Sequence, residues 1–356
     1  MSVASSNAEQ INQAVQVLID GGLVAFPTET VYGLGADASS RQAIEGIYQA
    51  KGRPTDHPVI VHVAAATALR DWCCDIPEQA WVLARAFWPG PLTMILKRHP
   101  DVDAAVSGGQ DTIGVRCPSH PVAQRLLRAF EQHKAQLGAE RSGVAAPSAN
   151  RFGRVSPTQA EHVRQEFPDL VAKGMPVLEG GDSEVGIEST IVDLSSLDRD
   201  ASVTLLRPGA ISATDLSRAL GLTVSSGQRS NSPRVSGSLK AHYAPATPIT
   251  LCDSASLVGL AQAWLQDHPG RLAVMAYQDV ALSDPRLSVM VMPRDAKSYA
   301  HRLYAALRQL DDLDVQIVLC EQVPQTQAWA GVNDRLSRAA AAFDGSPNTP
   351  TSMSVD

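Results

Sequence analysis

The sequence of 356 residues lacks long hydrophobic runs. None approaches the roughly 18 apolar residues that a membrane-spanning helix requires. The first ten residues, MSVASSNAEQ, have neither the basic nor the apolar region of a signal peptide. We therefore expect a cytoplasmic protein with no membrane partner. Hydrophobic residues make up 44% of the chain and charged residues 19%, a composition and length that predict a globular protein of two domains.

Cysteines and positive charge are also scarce. The five cysteines form no C-x-x-C pair and no Cys/His cluster at zinc spacing, which argues against a disulfide framework and a structural zinc. The net charge is -7 and aromatic residues are 5% of the chain. A surface built to grip a phosphate backbone or to stack on bases is therefore not expected, and the charge does not indicate direct contact with tRNA.

Alternation of apolar strands with helical patterns predicts an α/β fold for residues 1–220. The predicted strands are 23–26, 59–63, 93–96, 112–116, 144–146, 190–193 and 203–207, and the clearest predicted helices are 41–50, 121–130 and 157–167.

The composition changes at residue 221. Residues 221–246 are rich in Ser, Gly and Pro, which is typical of a linker. Over 247–342 strands and helices alternate again and predict a smaller Rossmann-like α/β domain with a parallel or mostly parallel sheet. The last residues, 343–356, are polar and predicted to be a disordered tail.

The stretch LVAFPTETVYGLGADA contains Gly33-x-Gly35-x-x-Ala38, which resembles a dinucleotide-binding fingerprint. Such a fingerprint needs its first glycine directly after a strand and at the start of a helix. Here six residues separate Phe26 from Gly33, and the next predicted helix begins only near Arg41, so the Rossmann interpretation fails. The sequence instead predicts a polar loop beyond a strand end, where open α/β sheets place their ligands. A plain surface loop with permissive glycines is the alternative.

Further polar clusters lie at the ends of other predicted strands. They supply cations and small hydroxyls: Lys51 and Arg53 before the strand with His62, then Arg116, then Ser148, Asn150 and Ser156, then Ser189 and Thr190, and last Arg207. The sequence has no Walker A motif and no obvious Ser/His/Asp or Cys/His arrangement. Together these clusters predict a pocket for an anionic ligand.

These motifs resemble those of YrdC-type threonylcarbamoyl-AMP synthases of the longer form. The matching parts are FPTETVYGLGADA, the K-x-R pair at Lys51 and Arg53, the S-x-N pair at Ser148 and Asn150, GIESTIVD, LRPGAIS and HYAP, within about residues 7–340. The resemblance implies a YrdC-like twisted open sheet with a concave polar pocket, plus the C-terminal domain. It also implies formation of threonylcarbamoyl-AMP and pyrophosphate from L-threonine, bicarbonate and ATP with Mg²⁺. A separate transferase complex would pass the threonylcarbamoyl group to tRNA, forming N6-threonylcarbamoyladenosine.

Residue roles carried over from the family remain expectations. The catalytic set implied is Lys51, Arg53, Ser148 and Asn150. The threonine-binding set is Thr28, Tyr32, His62, Arg116, Ser148 and Ser189. The ATP-binding set is Lys51, Thr55, Thr112, Ala146, Asn150, Ser156, Arg207 and Tyr243, the last within a linker that acts as a lid. No magnesium ligand is assigned, although Glu29, Asp182, Glu184 and Glu188 are candidate carboxylates.

Simpler explanations exist for several of these residues. A Lys or Arg near a helix end is often a solvated charge that complements the helix dipole. His62 alone fits a satisfied structural histidine, and Ser148 and Ser189 fit turn residues. Ser156-Pro157-Thr158 is also typical of a helix N-cap. The chain departs from the usual family pattern at His57, where Asn is common, and in the linker sequence SGSLKAHYAP.

Two other functions are compatible with a YrdC-like domain. A non-catalytic RNA-binding module is the main alternative, and net acidity and few aromatics argue against it. Carbamoyl transfer in hydrogenase maturation is the other, but the acylphosphatase and zinc-finger segments of those chains are missing here.

Overall fold

The computed structural model describes residues 3–197, 202–227 and 232–344. Within these ranges the chain forms two compact units. The first comprises residues 3–152 and 156–238, and the second comprises residues 153–155 and 239–344. The predicted linker, 221–246, therefore ends the first unit and begins the second. All but the first two residues of the predicted disordered tail lie outside the described residues.

The first unit alternates helices and strands as its hydrophobic pattern predicts. Its helices are α1 (Val3–Ile19), α2 (Arg41–Lys51), α3 (Leu69–Trp72), α4 (Glu78–Phe87), α5 (Pro121–Gln136), α6 (Ala160–Glu166), α7 (Pro168–Ala172) and α8 (Ala213–Leu220). Its strands are β1 (Val24–Phe26), β2 (Gly33–Asp37), β3 (Ile60–His62), β4 (Leu92–Lys97), β5 (Thr112–Arg116), β6 (Val144–Ala145), β7 (Thr190–Asp193), β8 (Val203–Arg207) and β9 (Val224–Ser226).

These nine strands form one mixed sheet in the order β1-β2-β6-β3-β5-β4-β7-β8-β9. The pairs β3/β5, β4/β7 and β8/β9 are parallel, and the others are antiparallel. All seven predicted strands are present, so the α/β class is confirmed. Helix α5 shows how one face is covered: Val122, Leu126 and Phe130 recur every four residues and are buried. Burying each such side chain contributes roughly 1.5–3 kcal/mol.

The predicted polar loop of Thr28, Glu29, Thr30 and Tyr32 lies between β1 and β2, but the strand that follows it, Gly33–Asp37, was missed. The reason is close approach between strands. A Cβ on Gly35 would lie 2.7 Å from Val144 Cγ1 and 2.8 Å from Phe26 Cε1. Only glycine lets the backbone fit there, so the residue that suggested a turn instead permits a tightly packed strand. Strand β9 was also missed, since it falls in the predicted linker.

The second unit has the predicted α/β alternation. Its elements are β10 (Ile249–Cys252), α9 (Leu257–Asp267), β11 (Leu272–Ala276), β12 (Leu287–Val291), α10 (Ala296–Asp311), β13 (Ile317–Glu321) and α11 (Ala330–Ala340). The four strands are all parallel, in the order β10-β13-β11-β12. The Rossmann-like parallel sheet is therefore confirmed.

Candidate active site

A row of polar side chains crosses four strands of the first unit at one end of the sheet. His62 and Arg116, the last residues of the parallel strands β3 and β5, are paired in register. Arg116 is paired in turn with Thr93, near the start of β4. The Thr93 hydroxyl lies 2.8 Å from the Ser189 hydroxyl, just before β7. The ends of β3 and β5 and the starts of β4 and β7 thus bring together residues that are far apart in sequence.

Arg116 and Glu29 form a buried ion pair in this row. Arg116 Nη2 lies 2.7 Å from Glu29 Oε1, and the two side chains are only 5% and 4% exposed. The second carboxylate oxygen, Oε2, accepts a hydrogen bond from the Ser119 amide at 3.0 Å. Within the described residues the Nε atom of Arg116 has no hydrogen-bond partner. A buried donor without a partner is costly, so this guanidinium is suited to receive an anionic ligand.

His62 lies beside that guanidinium as a neutral imidazole. Its ring packs edge-on against Phe26 with 6.0 Å between centroids, and its Nδ1 lies 3.2 Å from the Ile60 carbonyl oxygen. Burial, and secondarily the positive charge of Arg116, lower the pKa of His62 to about 3. At neutral pH His62 is therefore a neutral hydrogen-bonding group and not a cation.

The residues between β1 and β2 form a compact buried turn. The Thr28 hydroxyl donates to the Val31 carbonyl at 2.6 Å and lies 2.8 Å from the Thr30 hydroxyl. The Tyr32 hydroxyl donates to the Gly181 carbonyl at 2.9 Å, and burial raises the pKa of Tyr32 to about 12. Thr28 and Tyr32 are both almost fully buried. Their hydroxyls hold the turn together, and Tyr32 ties it to the segment that contains Gly181.

Lys51 and Arg53 are placed by the end of helix α2. Gly52, with φ of 61°, ends the helix in the left-handed conformation that glycine favours. Lys51 Nζ donates to the carbonyls of Ser148, at 2.7 Å, and Asn150. Burial, followed by the charge of Arg53, lowers the pKa of Lys51 well below its ordinary value. An anionic neighbour would therefore favour the charged form of Lys51.

Arg53 is held by a carbonyl and an aromatic ring. Its Nη2 donates to the Pro58 carbonyl at 2.8 Å, and its guanidinium lies 5.7 Å from the centre of the Phe152 ring. Arg53 is 6% exposed. Arg53 and Lys51 are therefore not solvated helix-end charges, because both are buried and engaged.

The Ser148-Asn150 segment approaches β2 and the α2 end together. Ser148 forms an isolated bridge with Gly33, and the Ala146 amide donates to the Ile60 carbonyl at 2.9 Å. The Asn150 side chain donates to the Arg151 carbonyl at 2.7 Å. This segment therefore joins the turn before β2 to Lys51 through main-chain contacts.

Ser156 does not cap a helix, so that alternative is wrong. Helix α6 begins at Ala160, and its N-cap, Gln159, makes no side-chain capping bond. The Ser156 hydroxyl instead donates to Glu188 at 2.5 Å. Pro157 is used in main-chain pairing, since its carbonyl accepts from the Tyr32 amide at 2.8 Å. The observed helix accordingly begins at Ala160, three residues later than the predicted helix 157–167.

Arg207 ties β8 to the start of β7 and to the end of the first unit. It donates through Nε and Nη2 to the Ser189 carbonyl at 3.0 and 2.9 Å, and through Nη1 to the Ser236 carbonyl at 2.8 Å. Ser236 and Val235 line a small cavity together with Thr112. Residues at the end of the first unit thus cover the part of the sheet where Thr112 lies.

Thr55 and Tyr243, two predicted ATP-binding residues, differ in exposure. Thr55 is exposed on the loop after α2. Tyr243 belongs to the second unit, where it is buried with φ of 61° and packs under the guanidinium of Arg335 at 5.3 Å. Thr55 therefore lies at the surface of the first unit, and the surroundings of Tyr243 are those of the second unit.

The carboxylates near this cluster do not form a metal site made by protein alone. Within the described residues no group of three His, Cys, Asp or Glu side chains could hold an ion. Glu29 is paired with Arg116, and Glu188 accepts from Ser156. The donor set therefore does not fit a dedicated Mg²⁺ cage, which needs several oxygen ligands around one point.

Sequence reasoning missed three partners of the predicted residues: Thr93, Phe152 and Ser236. Thr93 is a buried polar residue among the apolar residues 92–96 of β4, which was an available signal. No local pattern marks Phe152 or Ser236, because each meets its arginine only through the fold.

Buried arginines, a buried lysine and small hydroxyls at the ends of strands and of a helix, in a sequence without a P-loop, fit an α/β protein that binds small anionic substrates. Residues 16–209 match the family model described as Telomere recombination, for Sua5, YciO and YrdC. Residues 211–341 match the model of the threonylcarbamoyl-AMP synthase C-terminal domain. The chain belongs to the threonylcarbamoyl-AMP synthase family, in its long form.

Individual relatives agree with this membership. The Bacillus subtilis threonylcarbamoyl-AMP synthase is 36% identical over 94% of this chain and 94% of its own length. The structure of Pyrococcus abyssi Sua5 complexed with L-threonine is similar with a TM-score of 0.81 and 32% identity, covering 93% of this chain and 94% of that one. A putative threonylcarbamoyl-AMP synthase of Mycobacterium tuberculosis is 37% identical and covers 61% of this chain. No helix in the described residues is long and apolar enough to cross a membrane.

Proposed function

We propose that this chain condenses L-threonine, bicarbonate and ATP into threonylcarbamoyl-AMP and pyrophosphate. The product would supply the group that a transferase complex adds to tRNA as N6-threonylcarbamoyladenosine. Family membership supports the reaction. The main structural support for the site is the buried guanidinium of Arg116, whose Nε has no hydrogen-bond partner among the described residues. Neutral His62 and the paired hydroxyls of Thr93 and Ser189 lie in the same row.

In the proposed threonine half of the site, Arg116 binds the substrate carboxylate. A planar guanidinium can make two parallel hydrogen bonds to a carboxylate, which a lysine cannot. Thr28, Tyr32, His62, Ser148 and Ser189 would line the rest of this half. Neutral His62 does not repel the threonine ammonium, and it can accept or donate one hydrogen bond.

The proposed chemistry joins two anions. The threonine amine, once deprotonated, captures bicarbonate as a carbamate with loss of water. A carbamate oxygen then attacks the α-phosphorus of ATP, the bond to the β-phosphate oxygen breaks, and pyrophosphate leaves. Such transfers depend on positioning and on charge neutralisation. We assign both tasks to Lys51 and Arg53. Ser148 and Asn150 would complete the catalytic set, and their carbonyls hold the Lys51 ammonium.

Burial explains why Lys51 suits this role. Its lowered pKa reflects a charge that is costly without an anion nearby. Polyphosphate would provide that anion and stabilise the ammonium. The proposed ATP half also includes Thr55, Thr112, the Ala146 backbone, Asn150, Ser156 and Arg207. It further includes Tyr243 of the linker, which would act as a lid. Mg²⁺ would enter with the ATP phosphates as part of the substrate.

Pyrophosphate release by the purified protein tests the proposal. ATP and Mg²⁺ are supplied with L-threonine and bicarbonate added or omitted in turn, and with L-serine in place of threonine. We expect release only when threonine and bicarbonate are both present. Lys51→Ala and Arg53→Ala should abolish it, whereas Arg85→Ala, at an exposed arginine on α4, should not.

Two results would refute the proposal. One is full activity in both Lys51→Ala and Arg53→Ala. The other is no release from folded wild-type protein under any combination. Nucleic-acid affinity that falls steeply with salt, without nucleotide turnover, would favour the RNA-binding alternative instead.

A further inference from the structure

Three residues in the middle of the first unit's sequence belong to the second unit. The Gly153 carbonyl accepts from the Ala244 amide at 2.8 Å, and Arg154 forms a parallel bridge with Ala244. The Val155 carbonyl accepts from Arg308 Nη2 at 2.5 Å. Residues 153–155, which we call the inserted segment, are thus paired with the chain around Ala244 and held by a side chain of helix α10.

The last turn of α10 fastens the neighbouring backbone as well. Asp311 accepts from the Ala246 amide through Oδ2 and from the Thr247 amide through Oδ1, both at 2.8 Å. Arg308 and Asp311 are three residues apart and therefore neighbours on the helix surface. The helix is itself fixed, because Leu303, Leu307 and Leu310 are buried. One rigid helix end thus holds both chain segments.

The inserted segment lies between two residues of the proposed ATP half. Asn150 precedes it by three positions, and Ser156 follows it directly. Asn150 provides a carbonyl to Lys51, and Ser156 donates to Glu188. A shift of the inserted segment would move Ser156, its covalent neighbour, and would change the path of the short chain back to Asn150.

We propose that Arg308 is a positioning residue that fixes the Asn150–Ser156 loop for ATP by gripping the Val155 carbonyl. The inference rests on the proposed function for its catalytic consequence. It assigns the second unit a task distinct from a lid, namely setting the backbone path on which Asn150 and Ser156 lie. In this proposal Arg308 acts through the Val155 carbonyl.

The test compares three full-length variants. Arg308→Ala removes the donor, Arg308→Lys keeps a donor on a long side chain, and Arg302→Ala is a matched control at an exposed arginine of the same helix, bonded to the Val291 carbonyl. We expect Arg308→Ala to raise KM for ATP about tenfold, since small misplacements of positioning groups are costly. KM for threonine should stay within about twofold of wild type, because Arg116 and its neighbours are unaffected.

Hydrogen exchange provides a readout that does not depend on activity. Amides of residues 153–156 should exchange faster in Arg308→Ala, return towards wild type in Arg308→Lys, and remain unchanged in Arg302→Ala. Unchanged exchange in Arg308→Ala would overturn the anchoring. Faster exchange with unchanged KM for ATP, or equal rises in both KM values that Arg308→Lys does not reverse, would overturn the positioning role. If wild type released no pyrophosphate, the proposed function would fail, whereas exchange would still decide the anchoring.

Discussion

Arg116 and Glu29, 87 residues apart in sequence, form a buried ion pair at 2.7 Å. The carboxylate of Glu29 thus partly neutralises the guanidinium that we assign to the threonine carboxylate. A substrate carboxylate would meet an arginine that already has one anionic partner and one free edge at Nε. The pair leaves the Nε edge of the guanidinium able to receive a second anion.

Replacing Glu29 by Gln should destabilise the unliganded protein and sensitise it to threonine. Removing one partner of a buried ion pair costs about 3–5 kcal/mol, because the other charge stays buried. Threonine brings a carboxylate, so it should raise the melting temperature of Glu29→Gln more than that of wild type. Thermal unfolding with and without threonine measures both effects. Asp75→Asn, in the exposed pair with Lys97, should change stability by less than about 1 kcal/mol.

His62 should make the protein sensitive to acid. Its folded pKa is about 3, whereas an unfolded histidine titrates near 6.5. Between these values the unfolded state binds the extra proton, so stability falls as pH drops, by up to about 1.4 kcal/mol per pH unit. His62→Asn keeps a neutral hydrogen-bonding side chain and should flatten this dependence. Urea unfolding at pH 7, 5.5 and 4.5 compares the two proteins, and parallel curves would contradict the prediction.

Two glycines of the first unit should respond to alanine with opposite signs. Gly35→Ala places a methyl group 2.7 Å from Val144 Cγ1 and should cost about 1–3 kcal/mol through overpacking. Gly46 lies within helix α2, where the nearest atom to an added Cβ is Leu23 Cδ2 at 3.7 Å. Gly46→Ala should therefore stabilise by up to about 1 kcal/mol. The denaturant concentration at the midpoint of unfolding measures the change in stability of each variant. A change of the same sign in both variants would be evidence against the packing argument.

Glu321 should be a stability residue of the second unit. Its buried carboxylate accepts from the Ser254 hydroxyl at 2.6 Å and from the amides of Tyr277 and Gln278 at 2.9 and 3.2 Å. Glu321→Ala leaves three donors unsatisfied and should cost at least about 2 kcal/mol. Hydrogen exchange should quicken in 249–321 but not in β3–β5, a contrast that a global loss of stability would remove.

Periodicity predicted most of the secondary structure, because core-facing side chains mark strands and helices directly. It failed where neighbours decide the conformation. The run GLGAD has no β-branched residue, and it is a strand because Gly35 lets Phe26 and Val144 approach. Ser156 carries a capping signal, yet Glu188, 32 residues further on, takes its hydroxyl. Local propensity carries no information about a partner that only the folded chain brings near.

For the candidate site, too, the sequence predicted individual residues but not their partners. Lys51, Arg53, His62, Arg116 and Ser189 could be chosen because they lie in polar clusters near predicted strand or helix ends and match the motifs of the family that the sequence resembles. Their partners Glu29 and Thr93 could not be paired with them, since ion pairs and hydroxyl contacts across a sheet depend on strand order. The assignment of 153–155 to the second unit was also beyond prediction, because nothing in GRV differs from an ordinary loop.

The inserted segment and its anchor, Arg308, are synthesised at different times. Chains grow from the N-terminus at about 5–20 residues per second, and domains form as they emerge. Val155 leaves the ribosome about 150 residues before Arg308, which corresponds to a delay of roughly 8–30 s at that rate. The first unit therefore assembles around a loop whose anchor does not yet exist. Its nucleotide half would reach its final form only after Arg308 has been synthesised.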